Sequence, residues 1–551
     1  MQKLLAVACA VLTCVACSDS TEAPPMATAS PLDEITRDSI YAHLAFLADD
    51  ALEGRQTGSP GHAKAAQYVA DRFAEFGLEP GGNDGWYQPV PLQSYHIDSD
   101  SPSFIVHRNS DDTTLVYRDD YTMRGDRVRD DTTVRAEVVY IGYGVHAPEF
   151  GYSDYEGIDL EGKIVAAFRG GPAALPGEER AYHASTRTKI TEAVARGAVG
   201  WIALRSRHSQ ESYPWERAKK AAGMNPGMTW IDASGTAANY FPELLGSAYL
   251  SEHAAADLFE GTPISFKAAL DSIDASQPSS VPLGIEVTLS RKTDLDQLSS
   301  PNVIGIVRGT DPELSNEYVV YTAHLDHVGR GVEVAGDDLY NGMYDNAMGT
   351  ALMIETARAL AAMPLRRSVM FIALTGEEKG LLGSDYFAHY PTVPSDSIVA
   401  NVNMDMPLFL YPLADVVAFG AEHSSLQAIV AAAANAEDFA LTPDPIPEEN
   451  LFVRSDQYSF VRQGVPAIYL TSGFGTTDPN IDAEAIFQDH LRNHYHRPSD
   501  DLSRPIDWDS AERFARANTR IGLGIANDDA RPSWNEGDFF GDKFAPSAGS
   551  Y

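Results

Sequence analysis

From about residue 302 onward the chain repeats one pattern, a short unbroken apolar run followed by a helical stretch. The runs are NVIGIV (302–307), YVVYTA (318–323), SVMFIAL (368–374), IVANVNM (398–404) and VPAIYL (465–470). Val/Ile runs this short, without polar alternation, describe strands covered on both faces. Parallel strands need a crossover between them, and the helical stretches supply it. The expected fold is therefore α/β, a mostly parallel mixed sheet sandwiched by helices. A helix is also expected early in the chain. Ser59 can cap it, Pro60 suits its first turn and Gly77 closes it, with Ala66, Val69, Phe73 and Phe76 on its buried face.

In open α/β sheets ligands bind outside the carboxyl ends of the strands. YVVYTA ends at His324 and Asp326, SVMFIAL at Glu377 and Glu378, and IVANVNM at Asp405. Three strands thus deliver five candidate side chains to one rim. Asp345, in the loop YNGMYDNAMGT, and His496, in NHYHRPSDD, can reach the same rim from loops. Each element alone is commonplace, since adjacent glutamates and aspartates at strand ends usually form solvated turns. Their order on this strand pattern sets them apart.

The bulk properties narrow the function classes. The chain has 551 residues and a formal net charge of −37 with a pI near 4.6. That balance argues against a nucleic-acid partner, which requires basic patches. All three cysteines, Cys9, Cys14 and Cys17, fall within the first seventeen residues. The remaining chain therefore offers neither disulfide nor thiolate, and any metal must be held by His, Asp and Glu. No G-x-S-x-G motif supports serine catalysis. The N-terminus, MQKLLAVACAVLTCVACSDS, reads as an export signal, with Lys3 before an apolar run too short to span a bilayer. It resembles a bacterial lipoprotein signal, which implies lipidation at Cys17 and anchoring in the periplasm or at the cell surface. A lipid anchor is the only membrane contact expected.

The segments AHLDH, NGMYDNAMG, TGEEKGLLGS, NMD and YHRPSD, in this order, resemble the co-catalytic dizinc exopeptidases. That group includes bacterial leucyl aminopeptidases, aminopeptidase Y and glutamate carboxypeptidase II. The stretch HLAFLADDALEGRQTGSPGHAKAAQYVA (43–70) looks like the opening of the same domain, and the middle of the chain looks like a β-rich protease-associated insert. The implied organisation is an export signal over 1–16, a tether over 17–33, a first part of the peptidase domain over 34–132 and the insert over 133–287. The catalytic domain follows over 288–528, with a loosely packed tail over 529–551. The insert, with VVYIGYGV, KIVAAF and AVGWIAL as strands and 189–196 as a helix, is expected to carry no chemistry of its own.

Carried over residue by residue, the resemblance implies two zinc ions per chain. His324 and Asp405 would hold one, Glu378 and His496 the other, and Asp345 would bridge them. Such ligands bind zinc at about 2.0–2.2 Å, and one carboxylate can join two ions roughly 3.5–4 Å apart. Glu377 is then the general base acting on a metal-bridged hydroxide. Asp326 is expected to orient the His324 ring through its free nitrogen, and Tyr495 to help stabilise the oxyanion. His327, His490 and His494 match no ligand position and read as surface or supporting residues. Met343, Tyr344 and Met348 depart from the usual pattern and are expected to narrow the specificity pocket. Ser455, Asp456 and Gln457 read as scaffold.

The leading expectation is an aminopeptidase acting on peptides. A carboxypeptidase or dipeptidase on the same fold would need a cation for the terminal carboxylate, with Arg454 and Arg492 as candidates. A glutaminyl-cyclase-like acyltransferase would use one zinc. A catalytically dead binding protein, as in transferrin receptors, would have lost ligands that this chain keeps.

Overall fold

The computed structural model describes residues 30–545 except 110 and 278. The expected export signal, Cys17 and the expected tether up to residue 29 lie outside the described residues. No helix among the described residues is long and apolar enough to cross a membrane.

The apolar runs form the sheet they were expected to form. Its strands are β1 (Tyr87–Ile97), β2 (Ser280–Val307), β3 (Tyr318–His324), β4 (Ser368–Leu374), β5 (Ile398–Asn403), β6 (Asp415–Phe419) and β7 (Ala467–Ser472). The spatial order is β1-β2-β4-β3-β5-β7-β6. The central four run parallel, and β1, β2 and β6 are antiparallel to their neighbours. Every residue of β3, β4, β5 and β7 is buried, because helices cover both faces. One face packs on α1 (Arg37–Leu47), α2 (Pro60–Glu75), α3 (Gly349–Ala361) and α4 (Trp508–Asn527), through residues such as Leu44, Phe73, Leu352 and Phe514. The other face meets Phe387, Phe460 and Phe540. Helix α2 follows its sequence signals. The Ser59 hydroxyl accepts from the His62 N–H at 3.1 Å, and Gly77 takes a left-handed φ of +79° just beyond the helix.

Strand β2 is 28 residues long and belongs to two sheets. Its second half pairs with β1. Its first half pairs with residues 103–108 and 131–141 in a second sheet, which continues through Ile164–Phe168, Gly200–Leu204 and Gly246–Leu250. The core of this second body already includes Ile97 and Phe104, so it begins well before the expected residue 133. Among the early strands, one at least carries no apolar signal. Asp111–Leu115 reads DDTTL and buries only its last residue.

The C-terminal segment also departs from expectation. Residues 529–545 do not trail. Asp538 caps a helix over Phe539–Phe544, and Phe540 is fully buried against Phe452 and His423. Two adjacent phenylalanines give this turn-rich stretch enough apolar area to dock. Residues 546–551 lie outside the described residues.

His423 joins three parts of the molecule. Its Nδ1 lies 2.5 Å from Asp538 in the C-terminal segment, and its Nε2 lies 2.9 Å from Glu178 in the insert. Burial opposes charge on the ring, but Glu178 and Asp538 outweigh it and raise the pKa to about 9. A raised pKa contributes stability that is complete below about pH 6.5 and fades as pH rises through about 9. Wild-type protein should therefore lose on the order of 1–3 kcal/mol between pH 6 and pH 9.5 that His423→Gln does not lose. Denaturant unfolding of both proteins at the two pH values measures the difference.

Candidate metal centre

The rim residues converge. His324 ends β3, Asp405 follows β5, and Glu377 and Glu378 lie in the turn after β4. Asp345 comes from the loop before α3, where the Asp345–Asn346 peptide is cis. His496 arrives from the loop before α4 with a left-handed φ of +52°. His324 Nε2 lies 3.0 Å from Asp405 Oδ1 and 3.2 Å from Asp345 Oδ1. Across the carboxylate, Asp345 Oδ2 lies 2.9 Å from His496 Nε2, which is 3.1 Å from Glu378 Oε2. The two oxygens of Asp345 thus face two separate groups, His324/Asp405 and Glu378/His496, as expected of a bridging carboxylate.

Residues of this kind so close together could simply be hydrogen-bonded. The geometry says otherwise on the Glu378 side. His496 Nε2, Glu378 Oε1 and both ring nitrogens of His327 are buried without a hydrogen-bond partner. Yet His327 Nδ1 stands only 2.7 Å from Glu378 Oε1. Imidazole nitrogens and carboxylate oxygens that converge at such distances without a well-aligned hydrogen bond form a donor set suited to a cation. Two sets of donors are placed to hold a metal ion, His324/Asp345/Asp405 and His327/Asp345/Glu378/His496.

His327 is the one member of these sets that sequence reasoning left among the surface or supporting residues. It is fully buried, and the only signal was the second histidine of AHLDH. His490 is also buried, stacked edge-on against Tyr344, and takes no part in the cluster. Met343, Tyr344 and Met348 are fully buried in the core behind the loop, so they do not line a specificity pocket. The Tyr344 hydroxyl instead donates to the Pro505 carbonyl at 2.6 Å.

The supporting residues act differently from expectation. His324 Nδ1 is 3.0 Å from the main-chain carbonyl of Asp326, whose carboxylate is 4.0 Å away. A proton on Nδ1 leaves Nε2 free to bind. The Asp326 carboxylate accepts instead from the Glu377 N–H at 3.1 Å, the Glu378 N–H at 3.4 Å and the Thr57 hydroxyl at 2.9 Å. It therefore holds the turn that carries both glutamates. Asp500, within the YHRPSD motif, accepts from the backbone N–H groups of Tyr344 and Asp345, each at 3.1 Å. Ser455 donates to Asp405 Oδ2 at 2.5 Å.

The electrostatics follow from burying so many carboxylates together. Burial pushes Glu377 well above the usual carboxylate range, with Asp405 and Glu378 adding to it. Burial acts the same way on Glu378, but His496 and His327 reverse it and bring the group to about 2. Burial opposes charge on His496, while Glu378 and Asp345 lift it to about 10. Tyr495 stacks on His496 with ring centroids 3.9 Å apart, and burial holds its hydroxyl protonated well above the ordinary tyrosine value. Arg454 lies close enough for Tyr495 and Glu377 to support its charge, and its guanidinium is held by Glu449 at 3.1 Å. Arg217, from the insert, donates to the carbonyls of Tyr495 and His496 at 2.9 and 3.1 Å.

Arg55 braces the whole cluster from behind. Its guanidinium donates to the carbonyls of Leu325 (2.9 Å), Asn341 (2.7 Å), Gly342 (3.0 Å) and Leu47. Burial lowers it to about 10, with Asp345 and Asp326 opposing. Replacing it by Met strands four buried carbonyls. Arg55→Met should cost roughly 3–5 kcal/mol in urea unfolding, among the largest effects of a single substitution.

Parts of the chain are similar to known proteins. Residues 302–521 match the model of Peptidase family M28. Aminopeptidase YwaD of Bacillus subtilis is 35% identical over 123 residues, 22% of this chain and 24% of that protein. Aminopeptidase NAALADL1 of Mus musculus is 31% identical over 138 residues, 24% of this chain and 17% of that protein. The chain thus spans about a quarter or less of the length of these relatives. The structure of an aminopeptidase from Aneurinibacillus sp. strain AM-1 superposes with a TM-score of 0.52 at 18% identity, covering 92% of this chain and 96% of the other, which shows a shared fold. Residues 302–521 are therefore similar to peptidase family M28, and the described fold is shared with an aminopeptidase of known structure.

Proposed function

We propose that the protein is a zinc aminopeptidase that removes N-terminal residues from peptides. The observation that carries this reading is Asp345, whose two oxygens face two imidazole–carboxylate groups, with buried, unpartnered donor atoms on the Glu378 side. His324 and Asp405 would hold one zinc ion and Glu378 and His496 the other, with Asp345 shared. His327 stands beside Glu378 as a further donor. Zinc bound there would polarise the scissile carbonyl and make an attacking water more acidic. The two aminopeptidase relatives support the reaction, and the two donor sets of imidazole and carboxylate suit zinc.

Glu377 has the placement of a general base. It neighbours a ligand and belongs to neither donor set. Burial and nearby carboxylates raise its proton affinity, so it can take a proton from the attacking water and deliver it to the leaving amine. Tyr495 retains its proton and lies against His496, where it can donate to the developing oxyanion. An acidic surround suits a free substrate amine. Arg454 beside Tyr495 and Glu377 favours a second reading, a carboxypeptidase or dipeptidase in which that cation takes a terminal carboxylate.

Metal analysis with cleavage of aminoacyl-p-nitroanilides tests the proposal. Wild type and Glu377→Gln should both carry two zinc ions, and the variant should lose at least roughly 10²-fold in kcat. One zinc ion or none in wild type would overturn the two-metal reading. Two zinc ions with activity only on free dipeptides or C-terminal residues would select the Arg454 reading. Tyr495→Phe should lower kcat about 10²-fold with KM nearly unchanged, the pattern of an interaction made in the transition state. His327→Asn should leave the metal at His324/Asp405 in place and weaken the other at least tenfold in chelator titration.

A further inference from the structure

A cavity of about 400 Å³ lies where the insert meets the peptidase domain, apart from the donor sets. The insert contributes Arg187, Trp201 and Tyr249, and the peptidase domain contributes Leu381, Tyr458 and Arg462. Its charge is opposite to that of the molecule. In a chain with a net charge of −37, five arginines line it against two aspartates. Both aspartates are already engaged. Asp126 pairs with Arg291 at 3.0 Å, and Asp385 pairs with Arg462 at 3.1 Å while accepting from the Trp230 indole at 2.8 Å. Arg127 spends its guanidinium on the carbonyls of Ala238 and Asn239. Arg124 and Arg187 have no hydrogen bond or ion pair among the described residues.

Leaving Arg187 unpaired in a recess is costly, because its desolvation is not repaid by a partner. The cost is visible at Arg187, where burial and the neighbouring Arg462 lower the pKa to about 10. A third positive element converges on the same space. Arg187 lies in the first turn of the helix Thr186–Val194, and the residue before that helix provides no side-chain cap. The positive end of that helix therefore lies beside the Arg187 side chain. Aromatic rings of Tyr95, Tyr240 and Tyr458 form part of the wall, so an occupant can bury apolar surface as well as charge.

We propose that this cavity binds a small organic polyanion of di- or tripeptide size, carrying two or three carboxylate or phosphoryl groups, with Arg187 and Arg124 as its principal contacts. The site is independent of the hydrolytic reading. Its wall includes Gly380 and Leu381, in the turn that also carries Glu377 and Glu378, so an occupant rests against the peptidase loop.

Calorimetric titration with tricarballylate and with phenyl phosphate tests it, before and after metal removal, in wild type, Arg187→Gln, Arg187→Lys and Arg124→Gln. Binding of at least one probe to wild type is expected, in either metal state, and the tighter probe identifies the carboxylate or phosphoryl class. Arg187→Gln and Arg124→Gln should each weaken it at least tenfold, while Arg187→Lys retains most of the affinity. Circular dichroism establishes that the variants fold, and Arg124, whose side chain is solvent-exposed, provides the variant least able to disturb packing. Binding unaffected by both Gln substitutions, binding abolished by metal removal, or no binding of either probe to wild type would each overturn the proposal.

Discussion

The structure around the rim depends on one electrostatic problem, the burial of Asp345, Glu378 and Asp405 within a few ångströms of one another. Carboxylates in a protein interior cannot remain charged at that density without compensation. Three imidazoles supply part of it, and the remaining unpartnered donor atoms point to cations for the rest. Much of the surrounding architecture holds these groups against their mutual repulsion. Asp500 fixes the backbone beneath Asp345, Asp326 fixes the backbone beneath the two glutamates, and Arg55 ties together the carbonyls of the loops between them. None of the three belongs to a donor set, yet each has its polar atoms satisfied by the chain that carries a donor.

The fold explains why these loops can be held so closely. Four parallel strands end at one edge, so β3, β4 and β5 bring His324, the glutamate pair and Asp405 to the same level without long connections. The remaining donors come from loops that must cross open space, and these have the strongest external braces. His496 is the most exposed donor, with 29% of its side chain accessible. Its loop is gripped by Arg217 from the second body, which makes the insert part of the wall of the site.

How much of this was legible in the sequence depended on the kind of signal. Strands buried on both faces announce themselves through unbroken Val/Ile runs, and side chains at their ends follow from topology. His324, Asp345, Glu378, Asp405 and His496 were all singled out and all converge. Residues acting through long-range contacts gave no such signal. Arg55 reads as a surface arginine in DALEGR until the carbonyls of residues 325, 341 and 342 are folded around it. His327 sits one position past Asp326 and is turned inward by the chain after β3, a direction that spacing does not encode. Asp326 was expected to act through its carboxylate on His324, but its carbonyl is nearer and its carboxylate is drawn to the N–H groups of the next strand's turn. The short strands before residue 133 and the aromatic anchor at Phe540 were obscured because a few buried side chains decide their fate, rather than average composition.

Strand β2 bears on how the insert and the rim are held together. A single backbone that contributes to two sheets cannot swing like a hinge, since any rotation between the bodies would shear hydrogen-bond register in both. Arg217, which holds the carbonyls of Tyr495 and His496, is thereby carried on a body that shares one continuous strand with the sheet delivering His324, Glu378 and Asp405.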